Sequence, residues 1–230
     1  MNMDTVIDAH EITKVYDRET IPVYAVNGVH LHVERGEFIA LKGPSGSGKT
    51  TVLNMIGGLD RPDTGEILID GVDITKLGGR ELIDFRLHNI GFVFQAYNLI
   101  PVLTAAENIE FTMLLQKRSR EERWKRTQEL LKEIGLVDQA DRLPSRLSGG
   151  QQQRVAVARA LAPKPRFVLA DEPTANLDSK SAFNLLDIMA RLNQEEKITF
   201  LFSTHDPRVI ERARRVITLE DGKIVEDTAK

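Results

Sequence analysis

Short apolar runs alternate along the chain with segments whose apolar residues recur at helical spacing, and this alternation sets the predicted order of elements. Two alternating stretches, 6–16 and 24–33, joined by the polar Asp17-Arg18-Glu19-Thr20, predict antiparallel strands of a small β-layer. Glu37-Phe38-Ile39-Ala40-Leu41, between Gly36 and Gly43, is an unbroken apolar run after its first residue and predicts a strand buried on both faces. A helix is predicted over 49–57, a strand at Ile67-Leu68-Ile69 ended by Asp70-Gly71, and another buried strand over 90–94. A mostly helical stretch follows over 104–161, broken near Gly135 and at Pro144. A strand at 167–170, a helix from Ser179, a strand at 198–202, a short helix after Pro207 and a hairpin of 216–219 with 223–225 around Asp221-Gly222 complete the order. Strands that alternate with helices predict a mostly parallel sheet joined by βαβ crossovers.

Composition narrows the function classes. At 230 residues, 41% hydrophobic and 28% charged, the composition predicts an ordinary soluble globular protein, neither disordered nor fibrous. No run approaches the roughly 20 apolar residues that span a bilayer, and the acidic, apolar-poor start Met1-Asn2-Met3-Asp4-Thr5 predicts no secretory signal, hence a cytosolic location. The absence of cysteine excludes disulfides, thiolate catalysis and Cys-ligated zinc. A net charge of −3 argues against a duplex-wide nucleic-acid footprint. Residues 116–126 carry six basic and two acidic side chains around Trp124, and the reading is a solvated amphipathic helix without chemistry.

Candidate chemistry begins at Gly43-Pro44-Ser45-Gly46-Ser47-Gly48-Lys49-Thr50, which matches G-x-x-x-x-G-K-[ST] between a predicted strand and a predicted helix. Its backbone N–H groups can converge on phosphate oxygens at the positive end of the helix. Lys49 can neutralise the β/γ-phosphates, and the Thr50 hydroxyl can join Mg²⁺, which takes hard oxygen ligands. The strand 167–170 ends in Asp171-Glu172, at the carboxyl end of the sheet where ligand crevices lie. There Asp171 is expected to hold Mg²⁺ and Glu172 to polarise the attacking water. Gln95, after strand 90–94, can contact Mg²⁺ and that water, although glutamines in such places are also simply solvated. His205, after strand 198–202, can hydrogen-bond a γ-phosphate; His10, His30, His32 and His88 lack that setting and show no metal spacing. Leu147-Ser148-Gly149-Gly150-Gln151 opens a helix with Val155, Ala158 and Leu161 on one face, which fits a second anion-receptive N-terminus and equally an ordinary cap by Ser148.

That last segment, with the others in the same order, resembles the ATP-binding cassette (ABC) ATPases, and the resemblance covers nearly the whole chain. It implies an α/β P-loop NTPase fold with a mostly parallel core sheet, an N-terminal antiparallel β-layer and an inserted α-helical subdomain. In domain terms it implies a single ABC ATPase domain over 1–230, with 1–95 and 163–230 as nucleotide-binding core and 96–162 as the helical part carrying the signature. It implies ATP and Mg²⁺ as cofactors. The metal would be held by Thr50, Gln95 and Asp171, and catalysis would fall to Glu172, His205, Gln95 and Lys49. ATP contacts would come from Tyr16, stacked on adenine with Tyr24 as a competing stacker, from Gly43 through Thr51, from Gln95 and His205, and from Ser148, Gly149, Gly150 and Gln151. The signature is implied to act on ATP held by the opposite subunit, so that two chains bury two ATP molecules head to tail. Ala175, Asn176, Leu177 and Asp178 would cross that dimer interface.

The same resemblance implies a transmembrane permease as partner, with the chain peripheral on the cytoplasmic face of the inner membrane and no direct nucleic-acid contact. Ala96-Tyr97-Asn98-Leu99-Ile100-Pro101-Val102-Leu103 reads as a socket for a partner helix or as part of the chain's own core. The 51 residues between Gln95 and Leu147 are too few for the long coiled coil of DNA-repair ABC machines. Gly57-Gly58-Leu59-Asp60, the run 94–101 and Leu103-Thr104-Ala105-Ala106-Glu107-Asn108 are similar to the lipoprotein-release and macrolide-efflux group (LolD and MacB), whose permeases move extracytoplasmic domains. An FtsE-like ATPase acting on cell division through a membrane partner is the alternative, and a soluble nucleic-acid ATPase the third reading.

Overall fold

The computed structural model describes residues 4–17 and 21–230; Met1-Asn2-Met3 and the predicted linker residues Arg18-Glu19-Thr20 lie outside the described residues. Two sheets form. The first is antiparallel: β1 (Thr5–Tyr16), β2 (Val23–Glu34), β4 (Thr64–Ile69) and β5 (Val72–Asp73), in the order β2-β1-β4-β5. The second has six strands, β3 (Phe38–Lys42), β6 (Ile90–Val93), β7 (Phe167–Asp171), β8 (Thr199–Thr204), β9 (Arg215–Glu220) and β10 (Lys223–Ala229), in the order β10-β9-β3-β8-β7-β6. Its neighbours pair in parallel from β9 to β6, and only the β9–β10 edge is antiparallel.

The apolar runs of the core strands feed two cores, because successive side chains point to opposite faces. Phe38 and Ala40, Val168 and Ala170, and Phe200 and Phe202 face one core with the helices α3 (Ala105–Leu115), α4 (Arg120–Glu133), α5 (Gly149–Leu161) and α6 (Ser179–Glu196). Ile39 and Leu41, Phe167 and Leu169, and Leu201 face the other, which α1 (Lys49–Ile56) and the inner face of the β-layer complete. Strands covered on both sides have no solvent face, so the alternating pattern of a half-buried strand is absent there. It survives in β1 and β2, where buried and exposed positions interleave.

Several expectations need correction. The strand at 67–69 joins β1 in antiparallel register, Ile7 opposite Ile69, so α1 links the two sheets and is not a crossover within one. A helix α2 (Gly79–Asn89) forms where the sequence pattern predicts none; Leu82 is its one buried side chain, too little to produce an amphipathic stripe. The helical stretch has a further break at 116–119, where Lys117 adopts φ 60 and Ser119 caps α4. The basic block is not merely solvated: Arg118 donates to the Pro163 carbonyl at 2.8 Å, Arg123 pairs with Glu110 at 2.6 Å, and buried Arg126 pairs with Glu196 at 3.1 Å. Strand β8 runs through Thr204, which carries His205 directly to the sheet's carboxyl edge. Among the described residues no helix is long and apolar enough to cross a membrane.

Candidate nucleotide site at the carboxyl edge of the core sheet

The register of the central strands brings the candidate residues to one edge. Lys42 lies opposite Thr204, Asp171 opposite Ser203, and Val93 opposite Ala170, so the segments after β3, β6, β7 and β8 leave the sheet side by side. Between them is a cleft of about 560 Å³ lined by Ser45, Gly46, Gly48, Lys49, Thr50, Thr51, Gln95, Glu172 and His205, together with Ala25 and Ser203. Ala25 and Ser203 carried no sequence signal, since a small residue has no recognisable chemistry until its position is known.

The loop from Gly43 wraps the start of α1. Gly48 sits at φ 101, and a Cβ there would overlap the Ala25 carbonyl, so the loop passes the β-layer only without a side chain. Lys49 is buried, and its ammonium group donates to the Gly43 and Pro44 carbonyls at 2.8 Å each, held across the loop mouth. Ser47 is also buried, and its amide donates to the Pro44 carbonyl at 3.2 Å. The Thr50 hydroxyl lies 3.1 and 3.2 Å from the two Asp171 carboxylate oxygens.

Glu172 follows β7 in a left-handed conformation at φ 44, which aims its carboxylate across the edge of the sheet toward β8. Its oxygens lie 2.6 Å from His205 Nδ1 and 3.2 Å from the Thr204 hydroxyl, and its amide donates to the Ser203 carbonyl at 2.9 Å. The side chain of Glu172 is 14% exposed and that of His205 73%, so a sheltered carboxylate is backed by an accessible imidazole. This arrangement can accept a proton from water within the cleft.

Other predicted residues lie apart from the cleft. Tyr16 does not line it: its hydroxyl donates to Asp60 at 2.9 Å, and Lys14 Nζ stands 5.5 Å over its ring. Burial and the Asp60 carboxylate raise the phenol's pKa, against a smaller lowering effect of Thr51, which lines the cleft. Ser148 caps α5 reciprocally, its hydroxyl accepting from the Gln151 amide at 3.3 Å while Gln151 Oε1 accepts from the Ser148 amide at 2.8 Å. None of Ser148, Gly149, Gly150 and Gln151 lines the cleft. Ala175 and Asn176 are exposed, Leu177 is half-buried, and Asp178 caps α6 by accepting from the Ser181 amide at 3.0 Å. Asn176 Nδ2 donates to the Gln95 carbonyl at 3.0 Å, which ties the segment after β7 to the segment after β6.

Two further groups that no local sequence pattern marks brace the cleft's walls. Gln153, fully buried on α5, donates to the Pro173 carbonyl at 2.8 Å and so anchors that helix behind Glu172. Asp206 accepts from the Thr174 hydroxyl at 2.5 Å and from Arg208 at 2.7 Å, and its amide donates to Thr204. Burial acts to raise the Asp206 carboxyl pKa, but the bonds from Arg208 and Thr174 outweigh it and hold the group at about 2. Since the ordinary value is 3.8, the carboxylate contributes stability above that pH and loses it as pH falls toward 2. The difference in urea unfolding free energy between the wild-type chain and Asp206→Asn is expected to be about 2 kcal/mol at neutral pH and about half that by pH ~3. A difference independent of pH over that range would show that the carboxylate is not held this way.

A protein-family model described as ABC transporter matches residues 26–175. The lipoprotein-releasing system ATP-binding protein LolD 1 of Rhodopseudomonas palustris is 46% identical over 96% of this chain and 99% of its own length. The macrolide export ATP-binding/permease protein MacB of Brucella melitensis is 43% identical over 97% of this chain and 34% of its own length. Among solved structures, the dimeric post-hydrolysis state of the ATP-binding cassette MJ0796 bound to ADP and Pi superposes with a TM-score of 0.89 at 44% identity, over 97% of this chain and 98% of that one. With a P-loop strand and helix, a carboxylate pair ending a parallel strand, and a family match over most of its length, the chain belongs to the ATP-hydrolysing ABC transporter ATP-binding family.

Proposed function

We propose that two copies of this chain close head to tail around two ATP molecules, and that hydrolysis drives a membrane permease of the lipoprotein-release or macrolide-efflux kind. The observation that carries the two-chain site is the separation of its halves. The cleft holds Lys49, Thr50, Gln95, Glu172 and His205 but no residue of the 148–151 turn. In that turn the amides of Ser148 and Gln151 are used in the cap, while those of Gly149 and Gly150 make no hydrogen bond among the described residues. Two free N–H groups at a helix N-terminus suit the phosphates of a nucleotide held by the other copy. The dimeric structures of the MJ0796 cassette support this reading, as do the names of the LolD and MacB relatives for the membrane partner.

Mg²⁺ fits the residues present. The Thr50 hydroxyl and Asp171 carboxylate adjoin one another, and the Gln95 amide oxygen can complete a hard-oxygen set with phosphate and water. The metal would shield phosphate charge; Lys49 would hold the β/γ-phosphates, and Glu172, backed by His205, would take the water's proton. Tyr16, a neighbour of the cleft residue Thr51, is proposed as the adenine platform at its rim.

The permease is proposed to dock at a groove of about 510 Å³ beyond Gln95, lined by Phe92, Ile100, Phe111 and Leu115. The predicted socket divides: Leu99 packs against the core, Ile100 lines the groove and Val102 is exposed. Buried Asn108 fixes this segment through the Ile100 amide and the Ile100, Leu103 and Thr104 carbonyls. Light scattering tests the two-chain site. The mass is expected to double from 25.8 kDa when saturating Mg²⁺ and a non-hydrolysable ATP analogue are added. Ser148→Arg is expected to bind the analogue yet remain single. Failure of the wild-type chain to double, or doubling of Ser148→Arg, would sink the proposal.

A further inference from the structure

The amino edge of the core sheet, opposite the nucleotide cleft, gathers a second set of loops. Phe38 lies level with Phe200, Ile90 with Phe167, and Phe167 with Thr199, so the segments before β3, β6, β7 and β8 enter the sheet side by side. They border a pocket of about 410 Å³ whose lining carries Arg35, Arg118, Lys164, Arg166 and Lys197 against one carboxylate among the described residues, Glu196. Glu196 is already paired with buried Arg126 at 3.1 Å. The Asp70 carboxylate meets two of the five cations: Arg35 donates to one oxygen, and Arg166 lies 3.1 Å from the other. Arg118 donates one N–H to the Pro163 carbonyl at 2.8 Å. Lys164 and Lys197 are exposed, and neither ammonium group makes a hydrogen bond or ion pair among the described residues.

Both lysines also stand on left-handed backbone, Lys164 at φ 56 after α5 and Lys197 at φ 54 after α6. A cation there offsets the dipole of the helix it follows. Such a position nevertheless favours glycine, and an ammonium group that served the helix alone would bond its last carbonyls. Cations lining one pocket repel each other, and in a chain of net charge −3 their concentration here calls for a counter-anion. A carboxylate offers one charge and two oxygens. A terminal phosphate offers up to about two charges on three oxygens, which suit both ammonium groups and guanidinium forks. We infer that this pocket is a second phosphate site, separate from the nucleotide cleft, that takes a small anion ending in a phosphate or diphosphate group. Free polyphosphates and phosphomonoester lipid headgroups share that chemistry. Arg118 belongs to the break between α3 and α4, whereas Arg35, Arg166 and Lys197 belong to loops of the core, so the bound anion would tie the helical part to the core.

Because the nucleotide cleft also attracts phosphate, binding is measured in the Lys49→Ala chain. Calorimetric titration with diphosphate, at about 0.15 M salt to screen loosely held charge and without divalent metal, is expected to show about one equivalent bound. Adding Lys164→Gly and Lys197→Gly should weaken that binding about 100-fold, as expected for the loss of two charge-assisted bonds. Glycine is at ease at both left-handed positions, so the added changes should not lower the thermal unfolding midpoint, and lost binding then reports lost charge. No binding at this salt, or binding that the two added changes leave within threefold, would overturn the site. Vesicles separate the sources. Sedimentation of the otherwise wild-type chain with phosphatidic acid in phosphatidylcholine, but not with phosphatidylcholine alone, and its loss in Lys164→Gly/Lys197→Gly, would assign the pocket to lipid headgroups. Diphosphate binding without sedimentation would assign it to free phosphate compounds.

Discussion

Replacing Glu172 by Gln is expected to lower ATP turnover by about 10²–10⁴-fold, the range associated with loss of a positioned general base. The substitution keeps size and shape. The amide can still accept from the Thr204 hydroxyl, now 3.2 Å from the carboxylate, and the backbone bond to Ser203 is untouched. What it loses is the capacity to take a proton and the charged partner 2.6 Å from His205 Nδ1. The backbone at φ 44 is unfavourable for a residue with a side chain, and a strained position that aims a carboxylate into a cleft is where catalytic groups are found. Because Lys49, Thr50 and the loop amides do not depend on Glu172, nucleotide affinity should change by no more than a few-fold. Steady-state phosphate release and nucleotide titration on the same preparation check both halves. Turnover within about tenfold of wild type would remove Glu172 from the base's role.

The contrast between local and assembled features explains what the sequence could convey. The phosphate loop is legible because its function lies in consecutive backbone groups, so the glycines and Lys49 that shape it must appear together in the chain. Asp171 and Glu172 are legible because two acids ending a run such as Phe167-Val168-Leu169-Ala170 contradict burial unless the strand ends at a site. Asp206 is not, since an acid after His205 looks like any loop carboxylate until Thr174, which lies 32 positions earlier, is found beneath it. Gln153 is hidden among Gln151-Gln152-Gln153, where only the packed helix shows which amide turns inward. The sheet exchange at β4 follows the same logic. Ile67-Leu68-Ile69 is as apolar as a core strand, and its pairing with β1 depends on how Ile7 and Ala9 present their backbone, which no local pattern encodes.

Lys49→Ala should instead abolish the first step, with ATP affinity falling about 100-fold and turnover falling with it. Among the described residues it is the one Lys or Arg side chain lining the cleft, and the Gly43 and Pro44 carbonyls already hold its ammonium group across the loop mouth. A charge-assisted hydrogen bond contributes about 1.5–3 kcal/mol, or roughly 10–150-fold in affinity. Lys49 can serve more than one phosphate oxygen, which places the loss toward the upper end. The fold should survive, because alanine favours the first turn of α1 and the two carbonyls freed by the change lie in a loop open to the cleft. Arginine is not a substitute, since its planar guanidinium presents a rigid fork of donors where the Gly43 and Pro44 carbonyls hold a compact ammonium. Titration with a fluorescent ATP analogue, alongside thermal unfolding of both proteins, separates lost binding from lost structure. Affinity for ATP within about threefold of wild type, with an unchanged unfolding midpoint, would mean that the loop amides alone bind the phosphates. Set beside Glu172→Gln, the two variants divide the site: one retains nucleotide without turnover, and the other never acquires it.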